Sequence, residues 1–367
     1  MKILLTGGGT AGHVMPHLAL MSDFRKYFKD IVYVGSISGM EKDIIKKQKD
    51  ITYHEIVTTK FVRRKIWKNL LIPFKLIKAI SQSKKIIKQV QPSVVFSKGG
   101  YVSLPVVIAS KRCGVPVVAH ESDLEMGLAN KLSKPYAKVI CTTFEKTSER
   151  CKKAIWTGSP IRKDMIKSKQ EAMKNLDINT SLPILAITGG SLGSRFINNK
   201  IWDEIYNLTT EFYVLHLTGK NNINQKLLNI PNYKQIDFTM DIGSVLSASD
   251  IIVSRAGSNT IFELAVMHKP MLLIPLPKGN SRGDQVDNAK YFNSQGFANF
   301  VTEEQLEKQT LKSHIMQTYK ERNILISNLK KSGICPGNEK IIKIILQNTK
   351  PDIQENELKE NNKKSAK

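Results

Sequence analysis

The stretch "TGGGTAGHVMP" (6–16) sets the run Gly7, Gly8, Gly9 shortly ahead of His13, and "SRAGSNTIFEL" (254–264) sets an arginine, a glycine and small polar residues ahead of a glutamate. Glycines let a backbone approach a ligand closely, and the first N–H groups of a helix favour an anion there. His13, with an ordinary pKa of about 6.5, is largely neutral at physiological pH and suits removal of a proton from a hydroxyl. It serves equally as a hydrogen-bonding group to a bound ligand, and the residue types leave both roles open. In the second stretch Arg255, Ala256, Gly257, Ser258, Asn259 and Thr260 form an anion seat. Glu263, in the first turns of the helix that follows, can accept hydrogen bonds from two vicinal hydroxyls such as those of a ribose. The alternative makes Ser258 a simple N-cap and Glu263 a solvated helix residue. Further on, "RGDQVDNAKYF" (282–292) adds Gln285 and Asn288, carboxamides suited to sugar hydroxyls. Asp and His residues are otherwise scattered, with no DxD or His cluster at a strand end, so neither a metal nor a cofactor is expected.

These loops need strands before them and helices after them. Short β-branched runs supply the strands: "KILLT", "IVYVG", "SVVFS", "VPVVAH" and "KVICTT" before 145, then "PILAIT", "FYVLHLT", "IIVSRAG" and "PMLLIP" after 183. Longer segments of helical period separate them, which is the pattern of βαβ units and parallel sheets. "ILLTGGGTAGH" (3–13) and "ILAITGGSLGS" (184–194) repeat one another, so two similar α/β domains are expected from a chain of 367 residues. A boundary falls in "WTGSPIRKDM" (156–165), where Gly158, Ser159 and Pro160 interrupt both periodicities. Neither glycine turn is a strict GxGxxG, and no acidic residue ends the second strand, which disfavours a dinucleotide dehydrogenase.

Composition narrows the setting. Four cysteines without a CxxC spacing fit a reducing cytoplasm, and no leader or run of about 18 apolar residues is evident. The net charge of +24 biases the chain toward polyanions. Ten basic residues and no acidic one lie between Lys60 and Lys88, interleaved with Ile66, Trp67, Leu70, Leu71 and Phe74. Nucleic-acid binding favours stacking aromatics and polar residues, whereas aliphatics beside lysines suit shallow insertion into an anionic lipid surface. An amphipathic helix packed on the sheet is the plainer reading of the same segment. From Lys350 the chain is polar and is expected to be disordered.

The pieces "GGGTAGHVMP" (7–16), "SKGGYVSLP" (97–105), "HESD" with "GLANK" (120–131), "TGSPIR" (157–162), "GGSLGS" (189–194), "SRAGSNTIFEL" (254–264) and "GDQVDNA" (283–289) together resemble the bacterial MurG glycosyltransferases. The resemblance implies a GT-B fold, two Rossmann-like domains with parallel sheets facing a cleft. Residues 1–158 would hold the acceptor and the membrane, 159–337 would hold UDP-GlcNAc, and a helix near 338–349 would pack back on the first domain, ahead of the polar tail 350–367. The implied reaction moves N-acetylglucosamine, with inversion, from UDP-GlcNAc to the C4 hydroxyl of the muramoyl sugar in lipid I, a prenyl-diphosphate-linked acceptor. Its product is lipid II for peptidoglycan. The implied location is peripheral, on the cytoplasmic face of the membrane, with no nucleic-acid partner.

Position by position, the resemblance places Thr10, Ala11 and Gly12 against the donor and His13 at the reacting centre. Arg162, Ser191, the 255–260 loop, Glu263, Gln285 and Asn288 complete the donor site, and the backbone of Thr239 reads the uracil. Gly99, Gly100, Tyr101, Asp123 and Asn130 fall to the acceptor. Ala11 replaces a glycine that many relatives have, and Ser122 and Asp123 stand where many have Gln-Asn. Two rivals remain at this level: a UDP-GlcNAc enzyme of the same fold such as a 2-epimerase, and a non-enzymatic polyanion- or membrane-binding module.

Overall fold

The structure, a computed structural model, describes residues 1–58, 70–190, 192–278 and 283–351. Ile66, Trp67, Ser191 and nearly all of the tail expected to be disordered therefore lie outside the described residues. The chain divides into two compact units, Met1–Arg162 with Pro336–Lys367, and Lys163–Cys335. The first unit extends past 158 because Ser159 O accepts from Gly337 N at 2.7 Å and Ile161 N donates to Asn338 Oδ1 at 2.9 Å, fastening 159–161 to the returning chain.

The first unit is built on seven strands: β1 (Lys2–Thr6), β2 (Asp30–Ser36), β3 (Ile51–Ile56), β4 (Val94–Ser97), β5 (Val117–Glu121), β6 (Val139–Thr142) and β7 (Ala154–Trp156). They pair in parallel in the order β3-β2-β1-β4-β5-β6-β7. Ile3, Leu4 and Leu5 of β1 are fully buried on both faces, as a central strand covered by helices requires. The helix Asn338–Gln347 closes one face: Ile341 and Ile345 join Leu20 and Phe24 of helix Met15–Tyr27 in the core, and Asn338 Nδ2 donates to Ala19 O.

The second unit repeats the plan with β8 (Ile184–Thr188), β9 (Tyr213–Leu217), β10 (Tyr233–Ile236), β11 (Ile251–Ser254), β12 (Met271–Leu273) and β13 (Asn299–Phe300), parallel in the order β10-β9-β8-β11-β12-β13. In both sheets the chain winds one way from the first strand and then the other way. A crevice therefore opens at the carboxyl ends of β1 and β4, and another at those of β8 and β11, where such sheets bind ligands. The strands absent from the sequence reading, β3, β7, β10 and β13, are the four sheet edges. An edge strand is paired on one side only and is partly exposed, so it lacks the unbroken apolar run of a central strand.

Helix Ile72–Val90 packs on the sheet along one face, as the plainer reading of the basic segment has it. Its buried residues are Ala79, Ser83 and Ile87, spaced four apart, and Ile87 meets Leu4 and Val34 of the sheet. The preceding turn and the first half of the helix instead hold Leu70, Leu71, Phe74 and Ile77 in solvent, 60–76% exposed. No described helix is long and apolar enough to cross a membrane.

Candidate active site

The first glycine loop leaves β1 and turns at Gly9, whose φ is +89°, before a short 3-10 turn, Ala11–His13, leads into helix Met15–Tyr27. Thr10 Oγ1 lies 2.9 Å from His13 Nδ1, and His13 is half-buried. Thr10 Oγ1 accepts from Nδ1–H or donates to a bare Nδ1 according to the tautomer, and in either case it fixes the orientation of the ring. The loop after β4 closes on this one. Gly99 and Gly100 both have positive φ, and a Cβ at Gly100 would fall 2.3 Å from Gly8 O and 3.3 Å from His13 Nδ1. A Cβ at Gly9 would meet the Tyr101 ring at 2.4 Å. Thr10, Ala11, Gly12, His13, Gly99, Gly100 and Tyr101 are thus brought together at the crevice of the first unit.

Glu41 escaped the sequence reading. Fully buried, it accepts from Ser36 N at 3.0 Å, from Ser36 Oγ, and from Gly9 N at 3.2 Å, so one carboxylate ties the end of β2 to the glycine loop. Its charge, after burial itself, holds the Tyr33, Tyr53 and Tyr101 hydroxyls above their ordinary range. The only signal in the sequence was a glutamate soon after a Ser-Ile-Ser-Gly turn, which reads equally well as an ordinary helix start.

The "HESD" segment is organised by Glu121 rather than by its candidate contacts. Glu121 Oε1 accepts from the backbone N of Ser122 and Asp123, and Oε2 from Gly127 N and Asn130 Nδ2, all within 3.0 Å. Asn130, expected at the acceptor, is 5% exposed and also donates to His120 O. Its role is corrected to bracing the segment from beneath, with its carboxamide against Gly99. Asp123 is half-buried at the rim.

In the second unit, Gly190 and Gly193 take positive φ, and a Cβ at Gly193 would lie 2.1 Å from Thr218 O, so the loop needs glycine to pass the end of β9. Ser194 caps helix Arg195–Leu208. After β11 the helix Ser258–Val266 begins with Gly257 at the N-cap and no side-chain cap, so Ser258 is its first residue and not the cap. Asn259, Thr260 and Glu263 are half-buried along it. Three of the expected donor residues have protein partners of their own here. Arg255 is 8% exposed and donates to Ser194 Oγ at 2.6 Å and to Ile274 O at 3.1 Å, with Glu303 paired at 2.7 Å. Its guanidinium braces the loops after β8, β11 and β12 instead of pointing to a ligand. Asn288 is fully buried and donates to Ala256 O at 3.3 Å, holding the same loop from behind. Gln285 Oε1 accepts from Leu276 N at 3.1 Å, which fixes one end of its carboxamide. Thr239 spends its hydroxyl on Asp241 N, at 3.0 Å. Arg162 is half-buried at the end of the first unit's main segment. Among the described residues no group of three or more His, Cys, Asp or Glu is arranged to hold a metal ion.

Two doubly wound parallel sheets, each with a glycine loop at its crevice, are the architecture of the GT-B fold, and the family matches give the class as a glycosyltransferase. The chain matches the Glycosyltransferase family 28 N-terminal domain over residues 3–142 and its C-terminal domain over 184–357. It is 43% identical, over 95% of its length and 99% of the relative's, to the UDP-N-acetylglucosamine--N-acetylmuramyl-(pentapeptide) pyrophosphoryl-undecaprenol N-acetylglucosamine transferase of Clostridium botulinum (strain 657 / Type Ba4). The Clostridium tetani protein of the same name is 42% identical over 94% of this chain and 97% of that one. The crystal structure of Acinetobacter baumannii MurG shares the fold at a TM-score of 0.74 and 23% identity, covering 94% of this chain and 99% of that one. The chain belongs to glycosyltransferase family 28, in its MurG branch, and is an enzyme.

Proposed function

We propose that the protein transfers N-acetylglucosamine from UDP-GlcNAc to the C4 hydroxyl of the muramoyl sugar in lipid I, forming lipid II with inversion at the anomeric carbon. The observation that carries this reading is the 43% identity over 95% of the chain to transferases named for that reaction. The site chemistry agrees with it. His13, oriented by Thr10, removes the proton from the acceptor hydroxyl, and the uncapped start of helix Ser258–Val266 stabilises the departing diphosphate. Thr10, Ala11, Gly12, Arg162, Asn259 and Thr260 are assigned to the donor, Glu263 and Gln285 to its hydroxyls, and the backbone at Thr239 to the base; Ser191, also assigned to the donor, lies outside the described residues. Gly99, Gly100, Tyr101 and Asp123 face the acceptor. Release of UDP with and without lipid I tests the whole reading: release that needs no lipid I, or that yields no glycosylated lipid, would overturn it.

For the donor, UDP should raise the melting temperature, since a ligand bound only to the native state stabilises it. Glu263→Ala should weaken UDP and UDP-GlcNAc binding by roughly 10- to 100-fold, the worth of hydrogen bonds to a charged group. Equal affinity in calorimetric titrations of the two proteins would remove Glu263 from the ribose.

We further infer that the enzyme sits peripherally on the cytoplasmic face of the membrane through Leu70, Leu71 and Phe74, joined by Ile77 and flanked by Lys75 and Lys78. Each base near an anionic surface contributes on the order of 1 kcal/mol, and the exposed apolar side chains add a part that salt does not screen. Replacing Leu70, Leu71 and Phe74 together by Ser should cut binding to phosphatidylglycerol vesicles while UDP affinity stays unchanged. Sedimentation with vesicles as complete as the wild type's would place the contact elsewhere.

A further inference from the structure

Lys98 is the first residue past β4, and it points inward: it is 2% exposed. Its Nζ donates to His120 Nδ1 at 2.6 Å and to Ser122 Oγ at 2.5 Å. An ammonium only donates, so His120 Nδ1 accepts and the ring proton sits on Nε2, which donates to Gly158 O at 3.3 Å. Burial and then the Lys98 charge keep His120 neutral. Segment 121–127 contains no helix or strand beyond Glu121. Glu121 and Lys98 hold its start, while Thr147 Oγ1 donates to Leu124 O at 2.7 Å and Arg150 pairs with Glu125 further along.

Asp123 puts a negative charge beside a site proposed to take a diphosphate-linked, anionic acceptor. Lys98 holds the neighbouring Ser122 hydroxyl, and its charge interacts favourably with Glu121 and Asp123.

We propose that Lys98, Ser122 and Asp123 act as one unit, in which the Lys98 ammonium is a positioning residue that holds Ser122 and offsets the Asp123 charge so that segment 121–127 receives the anionic acceptor. This rests on the acceptor reading above. A Lys98 that merely neutralised the buried Glu121 would show its loss in stability alone, because removing one partner of a buried pair leaves the other charge uncompensated. The charge is also one that pH can remove. Burial brings Lys98 down to about 8, against the opposing pull of Glu121, Asp123 and Cys141, while His17 and His120 beside it stay neutral. The ammonium is therefore present below about pH 8 and lost above it.

Steady-state kinetics with donor and acceptor varied separately test the proposal. Lys98→Met should raise the acceptor KM by about tenfold or more, as expected for a lost charge-assisted hydrogen bond, with donor KM near wild type and a lower melting temperature, since Glu121 stays buried without its counter-charge. Adding Ser122→Gln and Asp123→Asn to Lys98→Met should restore most of the acceptor KM, since no rim charge then needs offsetting. An unchanged acceptor KM in Lys98→Met overturns the proposal. So does a joint loss of donor binding, acceptor binding and melting temperature that the two added substitutions fail to recover. Should Lys98→Met not fold, Ser122→Ala and the wild-type pH profile decide: the acceptor KM should rise in the variant, and in the wild type above about pH 8, and constancy in both refutes the unit. A wild-type enzyme that does not glycosylate the lipid acceptor refutes the functional reading instead, and that control separates the two failures.

Discussion

His13→Ala is expected to slow turnover by roughly 10²–10⁴-fold while UDP-GlcNAc affinity changes little, because general base catalysis contributes about that much and the donor is held mainly elsewhere. The geometry sharpens the expectation. Thr10 Oγ1, 2.9 Å from His13 Nδ1, fixes the orientation of the ring. Thr10→Val should therefore share part of the loss, while His13→Gln, which hydrogen-bonds but takes up no proton, should share all of it. Single-turnover rates with saturating donor are the measurement. A folded His13→Gln enzyme that kept more than about a tenth of wild-type turnover would make His13 a binding residue, since so small a loss lies below the general-base range.

The second large effect concerns stability. Glu41→Ala should destabilise the first unit by on the order of 3–5 kcal/mol, because it strands the donors at Ser36 N, Ser36 Oγ and Gly9 N that the carboxylate satisfies. Glu41→Gln keeps the shape but turns an amide NH₂ toward one set of these donors, so it should lose a substantial share as well. Because Gly9 opens the loop that carries Thr10 and His13, turnover should fall in both variants while UDP binding, carried by the second unit, persists. Thermal and urea denaturation of the three proteins check this, and a loss below about 1 kcal/mol in Glu41→Ala would show that the carboxylate is not the brace.

The central strands, the two glycine loops and the repeat between "ILLTGGGTAGH" and "ILAITGGSLGS" were legible in the sequence because each rests on local chemistry. A strand buried on both faces needs an unbroken apolar run, and a backbone turning at positive φ needs glycine. The motifs likewise led to the family without any coordinates. What local chemistry does not carry is which polar side chain turns inward. Asn288, Asn130 and Arg255 have the composition of ligand contacts, yet the tertiary structure buries them against Ala256 O, Glu121 and Ser194, where they hold the loops. Glu41 and Lys98, which no local signal singles out, are fully or almost fully buried. The edge strands β3, β7, β10 and β13 became strands only because a neighbour offered a ladder of hydrogen bonds. The side-chain partners are spread along the chain, from 5 residues between Glu41 and Ser36 to 61 between Arg255 and Ser194. A buried polar group must find such a partner, and only the folded chain determines which one comes within reach.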